Sequence, residues 1–280
     1  MSHTWVSILR VVFRRCFIYC VKIPGVRTVQ YLAHKTEFAH GRPLNGYSGV
    51  FGSHEDARKA ITSNRKIGYD YDEMGEIDQA RIGTLNFQDY PVLFWLHTFY
   101  ADIRTIFDLG GHCGESYYAY RKYIHFPENF IWRIFDVPAV IASGKKLAKN
   151  QNASTLEFTT KPLDMEGADM VLASGSLQYL PEGFLPSVVG KLQKKPRYII
   201  VHRTPLHGKR SFVTIQATGP VFCPYTVAHR QTLIDQMTAL GYMVVDSWTT
   251  KRKLEVPFHP ECGLDVYSGI YFRCEDKASS

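Results

Sequence analysis

The stretch Thr105–Ser116, TIFDLGGHCGES, carries the residues best suited to hold a nucleotide-like ligand. An apolar run ends in an acid, Asp108, and Gly110, Gly111 and Gly114 follow before a Glu-Ser pair that can open a helix. Glycines in such a turn let the backbone bend sharply and approach a ligand closely. Two chemistries use a loop of this kind after a first strand: hydride transfer with a dinucleotide, and methyl transfer with S-adenosylmethionine. The dinucleotide pattern G-x-G-x-x-G, started at Gly110, needs glycines where His112 and Glu115 stand, so it fails twice. The pattern acid-x-G-x-G-x-G is met by Asp108, Gly110 and Gly114 and fails once, at His112. Because the flanking glycines are kept, the His112 side chain is expected to point away from the cofactor. A second acid, Asp136 in RIFDVP, closes the next apolar run. A carboxylate at the end of a second strand can accept both ribose hydroxyls of an adenosyl group, whichever cofactor carries it. Cys113 lies in the same loop, no feature of the sequence assigns it a base, and it is expected to pack rather than react.

Strands alternating with helices are needed to position these residues, and the pattern from residue 103 onward supplies them. IRTIFDL, FIWRIFD, TLEFTT, ADMVLAS and RYIIVH read as strands. ESYYAYRKYI, AVIASGKKLAKN and EGFLPSVVGKLQ read as the helices between them. FVTIQ is an extra strand, and TVAHRQTLIDQMTALGY a long helix capped by Gly241. MVVDSWT and SGIYFR are late strands joined without a helix, which places one antiparallel strand in an otherwise parallel sheet. The first hundred residues read as helices and loops. Ser53 is a plausible N-cap, and Asp89 and Pro91 open a short helix, DYPVLFWLHTFYA, apolar enough all round to be buried. YSGVFG and GYDYDEMG are aromatic and glycine-rich, as lids over cofactors often are. The expectation is a helical N-terminal cap over residues 1–100 and a cofactor-binding domain over 101–280. The fold class is α/β, a Rossmann-like, doubly wound, mostly parallel seven-stranded sheet with an antiparallel last strand.

The sequence resembles a class I S-adenosylmethionine-dependent methyltransferase. More narrowly, it is similar to a family of bacterial methyltransferases associated with polysaccharide biosynthesis. YSGVFGSHEDARKA, GYD (Gly68–Asp70), FDLGGHCGESYY, LASGSLQYLP, HRTPL and FCPY carry the resemblance, from about Tyr47 onward. The cofactor this implies is S-adenosyl-L-methionine, with no metal. In many such enzymes the chain after the fourth strand passes under the cofactor, which implies binding roles for Ser174, Gln178 and Tyr179. The implied acceptor is a glycan or another small molecule with a free hydroxyl. FDVP resembles the second-strand acid of small-molecule O-methyltransferases, but their histidine-base motif has no counterpart here.

Methyl transfer to oxygen is chiefly a matter of alignment, helped by a base within hydrogen-bond reach of the hydroxyl. The fifth strand runs into HRTPLHG, so His202 and His207 are the candidate bases, and Arg203 the candidate holder of a phosphate or carboxylate. Tyr225 and His229 are further acceptor-side candidates. Two other functions stay open: a dinucleotide-dependent oxidoreductase or epimerase, and a non-catalytic, membrane-associated assembly factor that keeps the fold.

The chain has 280 residues, is 45% hydrophobic and carries a formal charge of +7, enough for one large core. The six cysteines make no C-x-x-C pair and suit a reducing, cytoplasmic setting. No nucleic-acid motif accompanies the basic charge, and none is expected as a partner. The charge gathers at the start. No acid occurs before Glu37, while Arg10, Arg14, Arg15, Lys22, Arg27 and Lys35 do, with Trp5, Ile8, Leu9 and Val12 at helical spacing. This segment is expected to pack on the domain. The alternative is weak peripheral association with an anionic membrane surface, at the inner face of the membrane.

Overall fold

The computed structural model describes residues 26–39, 45–61, 65–75, 82–127, 129–218 and 221–274. The basic segment with Trp5, Ile8, Leu9 and Val12 lies outside them. The chain opens with α1 (Val26–Ala39), β1 (Asn45–Phe51), α2 (His54–Ala60), β2 (Lys66–Ile67) and α3 (Tyr90–Phe99). The alternating part follows: β3 (Thr105–Leu109), α4 (Glu115–Tyr120), β4 (Ile131–Phe135), α5 (Pro138–Asn150), β5 (Leu156–Thr159), β6 (Met170–Ser174), α6 (Phe184–Val189) and β7 (Tyr198–Thr204). After these come β8 (Leu206–His207), β9 (Phe212–Thr218), β10 (Val221–His229), α7 (Arg230–Ala239), β11 (Tyr242–Leu254) and β12 (Leu264–Cys274).

The main sheet has seven strands in the order β11-β12-β7-β6-β3-β4-β5. The pairs β7–β6, β6–β3, β3–β4 and β4–β5 are parallel, while β12 is antiparallel to both β7 and β11. This is a Rossmann-like, doubly wound sheet, with the expected antiparallel last strand. Both faces are covered, and the period of two along each strand shows how. Ile106, Met170, Leu172 and Ile200 pack on one face with residues of α3 and α4. Phe107, Val171, Ala173, Ile199 and Val201 pack on the other with residues of α6 and α7.

The chain leaves β3 for β4 and β5 on one side, then returns to β6 on the other. The carboxyl ends of β3, β4 and β6 therefore bound a crevice at the point where strand order reverses, the usual ligand position in open α/β sheets.

Several local expectations need correction. The first hundred residues are not all helix and loop, because Asn45–Phe51 pairs as a strand with β9. It joins a second sheet, β1-β9-β10-β2, with β8 paired to β10. The long helix expected from Thr226 begins only at Arg230, since Val221–His229 is strand. The helix through Pro186 is short, Phe184–Val189. The helix α3 is buried on one face only: Val92, Leu93 and Leu96 are inside, but Phe94 is 63% exposed. Ser53 does cap α2, its hydroxyl accepting from Asp56 N at 3.1 Å.

Candidate functional site

Asp108 ends inside the protein rather than in a solvated cleft. It is 1% exposed, and Trp132 Nε1 donates to its Oδ2 at 3.0 Å. Burial pushes its carboxyl up to about 7, although the Trp132 hydrogen bond favours the ionised form. Gly111 packs directly on this carboxylate, and a Cβ there would lie 2.5 Å from Asp108 Oδ2. Gly110 is left-handed at φ 71°, donates its N–H to Phe135 O at 2.8 Å, and leaves no room for a Cβ against Ser176. Gly114, also left-handed, opens α4. The turn therefore needs these glycines for close packing as well as for backbone freedom.

His112 takes the same left-handed backbone at φ 54° without being glycine. Its N–H donates to Asp136 Oδ2 at 2.9 Å, and its ring Nε2 pairs with Met74 O at 2.7 Å. The side chain thus engages the segment before the main sheet. Asp136 also accepts from Val137 N through Oδ1 at 2.8 Å. Burial pushes its carboxyl up, while its backbone hydrogen bonds and His112 pull the other way. Cys113 is fully buried, with its Sγ toward Gly75 O and Val140 O, and burial pushes its thiol up to about 12. That is a packing thiol rather than a nucleophile.

The turn after β6 closes the other side of the crevice. Ser176 Oγ donates to Leu109 O, tying this turn to the end of β3. Gln178 is 2% exposed, donates to Gly175 O at 2.6 Å, and has no partner for its Oε1 among the described residues. Tyr179 donates to Gln216 Oε1 at 3.0 Å, which joins the turn to the second sheet. Ser174 Oγ accepts from Arg203 Nη2 at 3.1 Å. Arg203 is itself left-handed, φ 49°, and its Nη1 lies 3.9 Å from Asp89 Oδ1. Backbone strain of this kind collects at functional sites.

The candidate histidines are placed differently from one another. His202 is 0% exposed, and both ring nitrogens are engaged. Trp248 Nε1 donates to its Nδ1 at 3.1 Å, which leaves the proton on Nε2 to be donated to Asp89 Oδ1 at 3.2 Å. Burial lowers its pKa, so the ring stays neutral. His207 accepts at Nδ1 from Lys209 N and Arg210 N, at 3.1 and 3.2 Å, and its Nε2 meets Glu261 O at 3.2 Å. His229 is its partner in the β8–β10 pair, with Nδ1 2.9 Å from Thr232 Oγ1. Tyr225 is fully buried, its hydroxyl 2.8 Å from Tyr267 OH and its ring 5.4 Å from Tyr179.

Hydrogen bonds therefore connect the glycine loop, Asp136 and the Ser174–Tyr179 turn around one crevice, with Asp108 packed beneath Gly111 and Arg203 at the edge. His207 and His229 belong to a separate pair of strands. Three residues of the site were not singled out for it from the sequence: Asp89, Trp132 and Trp248. Asp89 stood out only as a residue preceding a helix, and nothing local marks the other two.

The left-handed glycine turn, the second acid and the unpartnered amide oxygen of Gln178 fit an adenosyl cofactor with polar ends.

No family model matches the chain. No curated protein matches it either. Solved structures do resemble it in fold. One is magnesium protoporphyrin IX methyltransferase from Synechocystis PCC 6803 with bound S-adenosylmethionine, 13% identical over 69% of this chain and 86% of that one, TM-score 0.45. A second is the Burkholderia thailandensis 1,6-didemethyltoxoflavin-N1-methyltransferase, 14% identical over 89% and 90%, TM-score 0.45. A third is the CcbJ methyltransferase from Streptomyces caelestis, 11% identical over 67% and 90%, TM-score 0.45. At these identities and scores the strand order and directions, rather than the likenesses, define the fold.

Proposed function

We propose that the chain is an S-adenosylmethionine-dependent O-methyltransferase whose acceptor is a sugar hydroxyl of a polysaccharide or glycan precursor. One observation carries the cofactor assignment: an acid–glycine turn and a second-strand acid meet at the crevice of a methyltransferase-type sheet. Gly110–Gly114 and Asp136 would hold the nucleoside, and Ser174, Gln178 and Tyr179 would line the opposite wall. When bound, the cofactor supplies an electrophilic methyl group on a sulfonium. Residues 101–280 form the cofactor-binding part in this reading, and the first hundred residues its cap, completed by β9 and β10. The sugar class follows from the family resemblance alone.

The acceptor would lie over the ends of β6 and β7, with Arg203 facing a phosphate or carboxylate. His202 and His207 offer no free ring nitrogen as placed, so the proton acceptor is assigned to Asp89. Its Oδ1 is fixed by His202, while its Oδ2 has no hydrogen bond among the described residues. His202 and Trp248 then act as positioning residues behind it.

Incubation with tritiated S-adenosylmethionine and a panel of nucleotide sugars and sugar phosphates tests this reading. Label should enter a sugar product, and Asp89→Asn should slow transfer by roughly 10²–10⁴-fold, the range for a lost general base. An Asp89→Asn variant as fast as the wild type removes the base assignment. Among the described residues no helix is long and apolar enough to cross a membrane.

A further inference from the structure

The segment Gly68–Gly75 contacts the chain that follows each of the three strands bounding the crevice. Past β6, the Tyr69 ring meets Tyr179 edge-on at 4.9 Å. Past β4, Asp70 Oδ1 accepts from Ala139 N at 2.9 Å, three residues beyond Asp136. Past β3, Met74 O receives His112 Nε2 at 2.7 Å. Gly75 O then accepts from Cys113 Sγ at 3.6 Å, and Gly75 sits so close to α5 that a Cβ would collide with Ser143. The strap also holds its own shape: Tyr71 OH accepts from Ile67 N at 3.2 Å, and Lys66 pairs with Glu73 at 2.6 Å.

Two features of this strap point to a ligand. His112 holds a left-handed backbone where the methyl-transfer pattern has glycine, and its ring is spent on the strap carbonyl. Asp70 brings a second carboxylate toward Asp136, and its charge adds to the burial that holds the Asp136 carboxyl up. Among the described residues neither carboxylate has a cation within salt-bridge distance. Asp136 already accepts from His112 N and Val137 N, and the exposed Asp70 from Ala139 N, but each carboxylate keeps lone pairs free, and a ribose diol supplies two donors to share between them.

We propose that Gly68–Gly75 is the outer wall of the nucleoside site, that Asp70 shares the ribose hydroxyls with Asp136, and that His112 pins the wall in place. The proposal rests on the cofactor assignment above. It makes release of the nucleoside depend on separating Met74 from His112. His112 is then a positioning residue, and its replacement by glycine relieves backbone strain but frees the strap.

The test uses the full chain and S-adenosylhomocysteine, with calorimetry, stopped-flow dissociation and amide hydrogen exchange. Binding should slow exchange across residues 68–75 about tenfold or more in the wild type. Asp70→Asn should weaken binding about tenfold, as expected for a charge-assisted hydrogen bond lost. His112→Gly should speed dissociation about fivefold or more, while Lys59→Ala, at an exposed ion pair with Glu55 on α2 outside the strap, should leave both within about twofold. Binding by the wild type without protection of 68–75, or with Asp70→Asn and His112→Gly both within twofold of it, overturns the proposal and leaves the cofactor assignment standing. A wild type that does not bind overturns both. The exchange measurement needs no variant, so a misfolded variant does not blunt the test.

Discussion

Replacing Asp108 with asparagine should alter the pH dependence of stability in a direction opposite to that of most acids. Asp108 is desolvated, and burial lifts its carboxyl from 3.8 to about 7 in the folded chain. Between these two values the folded state keeps a proton that the unfolded chain has released. Folded protein therefore binds more protons than unfolded, and stability falls as pH rises through this window. From pH 5 to the folded value is about two units, and at 1.36 kcal/mol per unit the wild type loses roughly 3 kcal/mol from this group alone. Above pH 7 both states are ionised and the loss stops growing. Asparagine cannot titrate. Its amide oxygen can still accept from Trp132 Nε1, and any fixed cost of placing its NH2 group is the same at every pH. Urea denaturation of both proteins at pH 5 and pH 8 isolates the effect as a difference of differences. The stability of Asp108→Asn relative to wild type should rise by about 3 kcal/mol between the two pH values. A flat difference would show that Trp132 and the nearby Arg203 compensate the buried charge. A falling one would show that the site favours the carboxylate, and would refute the desolvation argument.

Asp136→Ala should weaken S-adenosylmethionine binding by about 1–3 kcal/mol, measured by calorimetry on a variant with an unchanged melting curve. His202→Phe leaves Asp89 and Trp248 Nε1 without their buried partner and should cost about 2–5 kcal/mol in denaturant stability; a loss under 1 kcal/mol would show that the Trp248–His202–Asp89 chain is not cooperative. Deleting residues 1–22 should lower the melting temperature and leave vesicle co-sedimentation unchanged. Strong, salt-sensitive binding to anionic vesicles, lost on truncation with no change in melting, would assign that segment to the membrane surface instead.

The main sheet was legible because its strands are short β-branched runs separated by helical periods, and both faces being buried reinforces that pattern. The second sheet was not. Its central strand β10 contains Pro224, which argues against a strand. The structure accommodates it because β2 pairs only with Val221 and Phe222, and β8 only with Ala228 and His229, so among the described residues the edge beside Pro224 is unpaired. Its partner β1, NGYSGVF, carries two glycines and read as a lid turn. The cofactor loop was visible because glycine spacing is local. The roles of the histidines were not, because they depend on distant partners: His202 meets Trp248 and Asp89, which lie 46 and 113 residues away in the chain. His112 showed as a departure from the glycine pattern, but the strap carbonyl it meets comes from residue 74, in a segment with no periodic signal.

Calorimetric titration of the purified full chain with S-adenosylhomocysteine, set against NAD under the same conditions, tests the central claim most directly. Saturable one-to-one binding of S-adenosylhomocysteine with a Kd on the order of 10 µM is expected, with no saturable heat from NAD. Saturable binding of NAD together with no binding of S-adenosylhomocysteine at about 1 mM would contradict that claim.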